Sequence, residues 1–249
     1  MSTVTIKQAN FVDRMINGKY RVKMPKALAE HDSFDNWERE RFECMEAHLK
    51  LGDVLFDVGA ETGHISAIYA GFVGAPNLVM FESNPDNWQN IKATWDEMGL
   101  AKPGATVVAL VSDVGEQPEG TEELNKQEDG WPVCALTGRI WTPRSYRYVW
   151  EHAHNTPQVT LDEFAAFSGW IPDAITIDVE GAELKVLRGA ARLLRVRQPL
   201  VWVSIHPDLM RANCGHEPEM VQRFMTDLGY CSTHLATDHE VHMFYEPIA

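Results

Sequence analysis

The sequence predicts an α/β fold, a mostly parallel sheet with helices packed on both faces. Three observations carry that prediction. Apolar runs of strand length alternate with segments of helical period, a glycine-containing turn follows the first of those strands at Asp57–Gly63, and an acidic residue, Glu82, follows the second. Strands separated by helices pair in parallel and bury both faces, unlike strands joined by tight hairpins.

Residues 1–30 hold six basic and two acidic side chains, and Asn17-Gly18 between FVDRMI and KYRVKM is a hairpin turn signal. Residues 1–36 therefore read as an N-terminal extension with a hairpin, and 37–249 as the main domain. From Ser33 to Lys50, Phe34, Trp37, Phe42, Met45 and Leu49 recur at helical spacing until Gly52 stops the run. Val54–Val58 is the first strand of the main domain, followed by a helix over 64–73. Leu78–Phe81 is the second strand, Asn87–Met98 a helix closed by Gly99, and Ala105–Val111 the third strand. Residues 116–150 lack periodicity and read as an insertion. Its first part, Glu116–Asp129, carries six carboxylates and one lysine, as a solvated excursion would. Thr160 caps a helix over Leu161–Phe167, with Glu163 completing a capping box. Ala174–Ile177 is the fourth strand, 181–196 a helix, Leu200–Ile205 the fifth strand, and Glu217–Leu228 a helix ended by Gly229. Two tail strands follow, Tyr230–Leu235 and Val241–Tyr245.

Over 249 residues, 22 Lys+Arg against 36 Asp+Glu give a net charge of −14. That balance makes nucleic acid and anionic membrane surfaces poor partners, the basic N-terminal hairpin being the one place an anion could dock. Four cysteines without a CxxC pair argue against a zinc ribbon or disulfide scaffold and for a reducing, cytoplasmic setting. MSTVTIKQANFVDRM lacks the apolar core of a signal peptide, and runs such as PLVWVSI are strand-sized, so no membrane insertion is expected.

In a parallel sheet, ligands bind beyond the carboxyl ends of the strands, where the strand order switches. The turn Asp57-Val58-Gly59-Ala60-Glu61-Thr62-Gly63 differs from G-x-G-x-x-G and lacks its third glycine, which opposes a diphosphate clamp and a nicotinamide dehydrogenase. Asp57 ahead of Gly59 suits a ligand with a positive charge or amino group, although a plain tight connection explains the turn as well. Glu82, 25 positions after Asp57, can take both hydroxyls of a ribose, or can merely begin the turn Glu82-Ser83-Asn84-Pro85. Ser112 and Asp113 end the third strand with a polar pair that could reach an adenine amino group, or start a solvated loop. Together these residues describe a nucleoside site without a diphosphate clamp. S-adenosylmethionine, with its cationic sulfonium, is the natural candidate.

The run Ile177-Asp178-Val179-Glu180-Gly181-Ala182-Glu183-Leu184, continuing to Gly189-Ala190, resembles the signature of the FkbM family of S-adenosylmethionine-dependent methyltransferases. DVGAETG at Asp57–Gly63, FESNPDN at Phe81–Asn87, SDVGE at Ser112–Glu116, VTLDEF at Val159–Phe164 and Ile205-His206-Pro207 follow in the family's order over about residues 37–247. The resemblance implies a Rossmann-like class I methyltransferase fold, a mostly parallel seven-stranded sheet with an antiparallel C-terminal hairpin, and usually O-methylation. It carries cofactor binding onto Asp57, Gly59 and Gly63, with Ala60, Glu61, Glu82, Ser83, Ser112 and Asp113 beside them. The family commonly has Asn where this chain has Glu61, a carboxylate that can strengthen the hold on the cofactor's ammonium or face water.

Methyl transfer needs in-line attack by an acceptor held close to the sulfonium, with a base removing its proton. Asp178 and His206, on neighbouring loops, lie beside the expected methyl position. His206 is the preferred general base because imidazole titrates near neutrality; the alternative is a histidine bonded to a loop carbonyl ahead of Pro207. Asp178, Glu180, Glu183 and His206 also have the chemistry of a divalent-metal site. Against that, Glu180 and Glu183 can simply complement the dipole of the following helix, the reading preferred for Glu183. Asp178 and Glu180 remain site residues. Trp131, Trp141, Tyr146, Tyr148 and Trp150, interleaved with Arg139, Arg144 and Arg147, suit the acceptor wall for a sugar, or pack the insertion onto the domain. The leading expectation is a methyltransferase acting on a hydroxyl of a glycan or small metabolite. A non-catalytic nucleoside-binding or scaffold protein with the same fold is the alternative.

Overall fold

A computed structural model describes residues 11–31, 34–136, 155–238 and 240–248. β1 (Phe11–Ile16) and β2 (Tyr20–Pro25) form an antiparallel hairpin about Asn17 and Gly18, both at positive φ as a tight two-strand turn demands. Its inward residues Ile16, Val22 and Met24 are fully buried in the main core. A short helix α1 (Lys26–His31) and helix α2 (Arg39–His48) follow. The apolar spacing predicts α2 from residue 33, but Glu38 takes a left-handed conformation (φ 42°) and the helix starts after it.

Seven strands make the central sheet: β3 (Leu55–Val58), β4 (Leu78–Phe81), β5 (Ala105–Val107), β10 (Ala174–Ile177), β11 (Leu200–Ile205), β12 (Tyr230–Thr237) and β13 (Val241–Pro247). Their order is β12-β13-β11-β10-β3-β4-β5. β11, β10, β3, β4 and β5 run parallel, while β13 is antiparallel to both of its neighbours. The chain enters at β3, moves outward to β5 and returns to β10 on the other side. The switch in strand order therefore lies between β3 and β10, as the sequence reading requires.

The period of two along each strand sorts the core into two layers. Phe56, Val58, Val79, Phe81, Ile175, Ile177, Val201 and Val203 face helices α5 (Leu161–Ser168), α6 (Glu183–Gly189), α7 (Ala191–Val196) and α8 (Pro218–Asp227). Leu55, Leu78, Met80, Ala174 and Trp202 face the hairpin, α2, α3 (His64–Val73) and α4 (Asn87–Met98). On this second face the parity also places Asp57, Thr176 and Ser204, three polar residues, inward and buried. That row becomes part of the site.

The structure corrects several expectations. The third strand leaves the sheet at Val107, because the Asn125 side chain bonds both the N–H and the C=O of Val108 (2.8 and 2.9 Å). The chain resumes as β6 (Leu110–Val111), which pairs with β9 (Gln158–Val159) in a separate sheet. The helix over 181–196 is two helices, since Asp162 caps the amides of Arg192 and Leu193 (2.8 Å each) and starts α7 anew. The Thr160 cap is present, its hydroxyl accepting from the Glu163 amide at 3.0 Å, but Glu163 returns its side chain to that hydroxyl. Within the insertion, β7 (Gln127–Glu128) and β8 (Trp131–Pro132) form a small hairpin, and Trp131 is buried edge-on against Trp95, which removes it from any acceptor wall. Trp141, Tyr146, Tyr148, Trp150, Arg139, Arg144 and Arg147 lie outside the described residues. Among the described residues no helix is long and apolar enough to cross a membrane.

Candidate active site

A cavity of about 450 Å³ opens beyond the carboxyl ends of β3, β4, β10 and β11, at the switch in strand order. That volume is within the usual range for small-molecule sites. The turn after β3 forms one wall. Gly59 has φ +99°, and a Cβ there would stand 1.8 Å from the Asp178 carbonyl oxygen, so only glycine lets the turns after β3 and β10 close on each other. The amides of Gly59 and Ala60 donate to the Phe81 carbonyl, that of Gly63 to Ala60, and that of Glu61 to the Glu82 carboxylate (2.9 to 3.1 Å). With these donors engaged, the turn offers no cradle for a diphosphate.

Glu82 is buried at the end of β4, its two oxygens held by the amides of Asn84 (2.7 Å) and Glu61 (2.9 Å). The Asn87 side chain is a third donor to this carboxylate, which still lines the cavity. Burial pushes its pKa up to about 7 against the pull of those amides. Asp57, also buried, accepts from the Ser66 hydroxyl at 2.5 Å, and burial raises it to about 6. Between them the wall turns apolar, with Phe81, Ala109, Leu110 and Val111 lining a slot past the end of β5. Ser83 and Asn87 border it. Ser112 and Asp113 do not line this cavity: β6 carries them past it, the Ser112 amide bonds Val159, and Asp113 is exposed. On this side the cavity is lined by Ala109, Leu110 and Val111 in their place.

The opposite wall is a cluster of buried charge. His206, after β11, is hydrogen-bonded through Nδ1 to Glu183 Oε1 (2.8 Å), and its Nε2 lies 2.9 Å from Glu240 Oε2 as an ion pair. Asp178 Oδ1 and Glu180 Oε2 stand 3.6 and 3.7 Å from Nε2. Burial alone would lower the imidazole pKa, but the bonds to Glu183 and Glu240 and the nearby carboxylates outweigh it and push it up to about 11. Glu240 moves the other way, to about 2, its burial being outweighed by His206. Both ring nitrogens thus face carboxylate oxygens, which hold the ring's proton affinity well above that of a free imidazole. Asp178 is raised well above the carboxylate range by burial and by Glu240. Its side chain keeps about a third of its exposure, toward the cavity. Glu183 is wholly buried and accepts from the Gly181 amide, so it positions His206 in addition to any effect on the helix dipole.

Sequence reasoning missed Arg41, Glu38, His64 and Glu240, all of which line the cavity. Arg41 reaches from α2 to the polar row on the sheet, donating to Ser204 Oγ (2.7 Å), to Thr176 Oγ1 and to Glu38 (2.6 Å), with Asp178 Oδ2 at 3.6 Å. The signal was present. Arg41 occupies the apolar stripe of its helix, four residues after Trp37 and four before Met45, opposite Asp57, Thr176 and Ser204 at inward strand positions. Of the expected metal set, Asp178 and His206 do converge, but the third member of the converging group is Glu240, not Glu180.

A seven-stranded sheet in this order, reversed only at β13, with an acidic cavity at its switch point, defines a class I methyltransferase architecture. The Methyltransferase FkbM domain profile matches residues 57–231. The chain belongs to the FkbM family of S-adenosylmethionine-dependent methyltransferases. No curated protein sequence matches it. Among solved structures it is similar to the methyltransferase FkbM of Methylobacillus flagellatus KT, with 15% identity and a TM-score of 0.49. That match covers 80% of this chain and 45% of the other, so this chain spans less than half of that relative. It is also similar to precorrin-6y C5,15-methyltransferase from Geobacter metallireducens GS-15 (14% identity, 84% and 87% covered, TM-score 0.46). A third is M. jannaschii TYW2 in complex with AdoMet (10%, 99% and 90%, 0.44).

Proposed function

We propose that the cavity binds S-adenosylmethionine along the ends of β3 and β4 and transfers its methyl group to a hydroxyl presented from the side of Asp178. One observation carries this reading. Glu82 has both carboxylate oxygens oriented by backbone amides toward a cavity whose glycine turn has spent its own amides, which favours ribose and disfavours a diphosphate. The donor supplies an electrophilic methyl on a sulfonium. Asp57 and Glu61 supply negative charge on the wall where an ammonium and sulfonium would lie. Phe81 and residues 109–111 give the flat apolar slot an adenine needs.

On the acceptor side, Asp178 is the group that takes the hydroxyl proton. Burial and the charge of Glu240 raise its proton affinity, the property a base needs near neutral pH. His206 and Arg41 border that corner, each with a nitrogen 3.6 Å from an Asp178 oxygen. Glu180, at positive φ on the rim, bounds the acceptor. A glycan or polyhydroxylated small metabolite fits the polar rim, and the charge of −14 disfavours nucleic acid.

The test is incubation with methyl-labelled S-adenosylmethionine and a panel of hydroxyl, amine and carbon acceptors. The expected product is a labelled methyl ether with stoichiometric S-adenosylhomocysteine, and Asp178→Asn lowers turnover by about 100-fold or more. Label carried to nitrogen or carbon contradicts the O-methyl assignment.

A further inference from the structure

Sheet register, not closeness in sequence, brings three ligand-type side chains to one point. Asp178 follows the last residue of β10 and His206 the last residue of β11. Glu240 precedes Val241, which pairs with Ile205 where the antiparallel β13 begins. One oxygen of Asp178, one of Glu240 and one ring nitrogen of His206 all lie within 4.8 Å of one another. His206 Nε2 is 2.9 Å from Glu240 Oε2 and 3.6 Å from Asp178 Oδ1. Neighbouring donors around an ion at about 2.1 Å are separated by roughly 3.0–3.5 Å. The two separations from Nε2, 2.9 and 3.6 Å, bracket that span.

Two further features point to a cation. His206 Nδ1 is held at 2.8 Å by Glu183, which fixes the ring so that Nε2 faces the two carboxylates, the arrangement that orients metal-bound histidines. The second oxygen of Glu183, a wholly buried residue, has no hydrogen-bond partner among the described residues. Asp178 has its two nearest cations only at 3.6 Å. Glu38, Glu183 and Glu240 are buried around it with Arg41 as the one arginine of the cluster. Asp178, Glu38, Glu183 and Glu240 thus share one arginine and one imidazole between them, and a divalent ion offsets several carboxylates at once.

We propose that Asp178, His206 and Glu240 form a divalent-cation site at the inner end of the cavity. The ion would take the place of the proton on His206 Nε2, which is released on binding, and one neutral imidazole with two carboxylates suits a first-row ion such as Mn2+ better than Ca2+, which prefers oxygen alone. The three protein ligands leave the cavity side open to an oxygen donor, and a hydroxyl bound there gives up its proton more readily. The site stands apart from the donor assignment, because ion binding is measured without S-adenosylmethionine.

The experiment titrates the chain with Mn2+ and follows the free-ion signal by electron paramagnetic resonance. The site predicts one ion per chain, with affinity lowered at least ~10-fold in Glu240→Gln and His206→Gln and retained in Glu119→Gln, an exposed carboxylate away from the cavity. S-adenosylhomocysteine binding, run in parallel on every variant, reports folding and keeps a failed donor reading distinct from a failed metal reading. A wild-type crystal soaked in MnCl2 decides the matter without any variant: an anomalous peak among Asp178, His206 and Glu240 supports the site. Absence of Mn2+ binding by the wild type at millimolar ion, binding unaffected by Glu240→Gln, or a peak elsewhere overturns it.

Discussion

The two walls of the cavity are built on opposite principles. On the β3–β4 wall, each carboxylate is satisfied by neutral donors: Glu82 by the backbone amides of Glu61 and Asn84, Asp57 by the Ser66 hydroxyl. On the β10–β11–β13 wall, side chains of opposite charge face one another, Arg41 with Glu38 and Asp178, His206 with Glu183 and Glu240, and Arg41 also donates to the Thr176 and Ser204 hydroxyls. The first arrangement is a rigid backbone mould with acidic inlays. The second is a buried electrostatic network whose members depend on all the others, so removing one exposes the rest. Substitutions on the two walls should therefore fail differently.

The largest effect is expected on the network. Arg41→Met leaves Glu38 and Asp178 without their buried cation and should cost about 3–5 kcal/mol in urea unfolding. A change under about 1 kcal/mol would show that the wall is not a coupled network. Gly59→Ala comes next, because its Cβ would overlap the Asp178 carbonyl at 1.8 Å and force the two walls apart. A loss of about 3 kcal/mol, read as a lower Tm together with loss of cofactor binding, is expected. Glu82→Gln should cost about 1–3 kcal/mol, because its NH2 would face one of the two backbone amides that the carboxylate accepts from, and should weaken S-adenosylhomocysteine at least ~10-fold through loss of a charged acceptor for ribose hydroxyls.

The mould also has a pH signature. Burial places Glu82 at about 7, so its charged form fills as pH rises through neutrality, and cofactor affinity should climb over that range in the wild type but stay flat in Glu82→Gln. Stability of the unliganded protein moves the other way. The native state keeps a proton that the unfolded chain releases near 4.5, so this stabilisation is complete below that value and lost as pH rises through about 7. Asp57, raised to about 6, acts in the same direction. The smallest effect belongs to neither wall: Thr160→Ala removes the cap on the Glu163 amide and should cost about 1 kcal/mol without touching cofactor affinity.

The same contrast explains what could be read from the sequence. Strand and helix order, the Asn17-Gly18 turn, the Thr160 cap and the Asp57–Gly63 and Glu82 elements depend on local chemistry, and each occurs where the residues point. Ser112 and Asp113 were misplaced because the strand was read through Val111, whereas Asn125, 17 residues past Val108, takes its backbone partners at Val107's exit. Arg41 and Glu240 acquire meaning only once α2 lies over the sheet and β13 inserts beside β11. His206 was located correctly at a strand end, but its protonation is set by Glu183 and Glu240, and the latter is 34 residues downstream.

The central claim is that Glu82 and the turn after β3 hold the donor in this cavity. Calorimetric titration of S-adenosylhomocysteine into wild type and Glu82→Ala, side by side at one pH, tests it most directly. The account predicts one cofactor per wild-type chain and a loss of at least ~10-fold in affinity for a variant that remains folded. No binding by the wild type, or identical binding by both proteins, would contradict it.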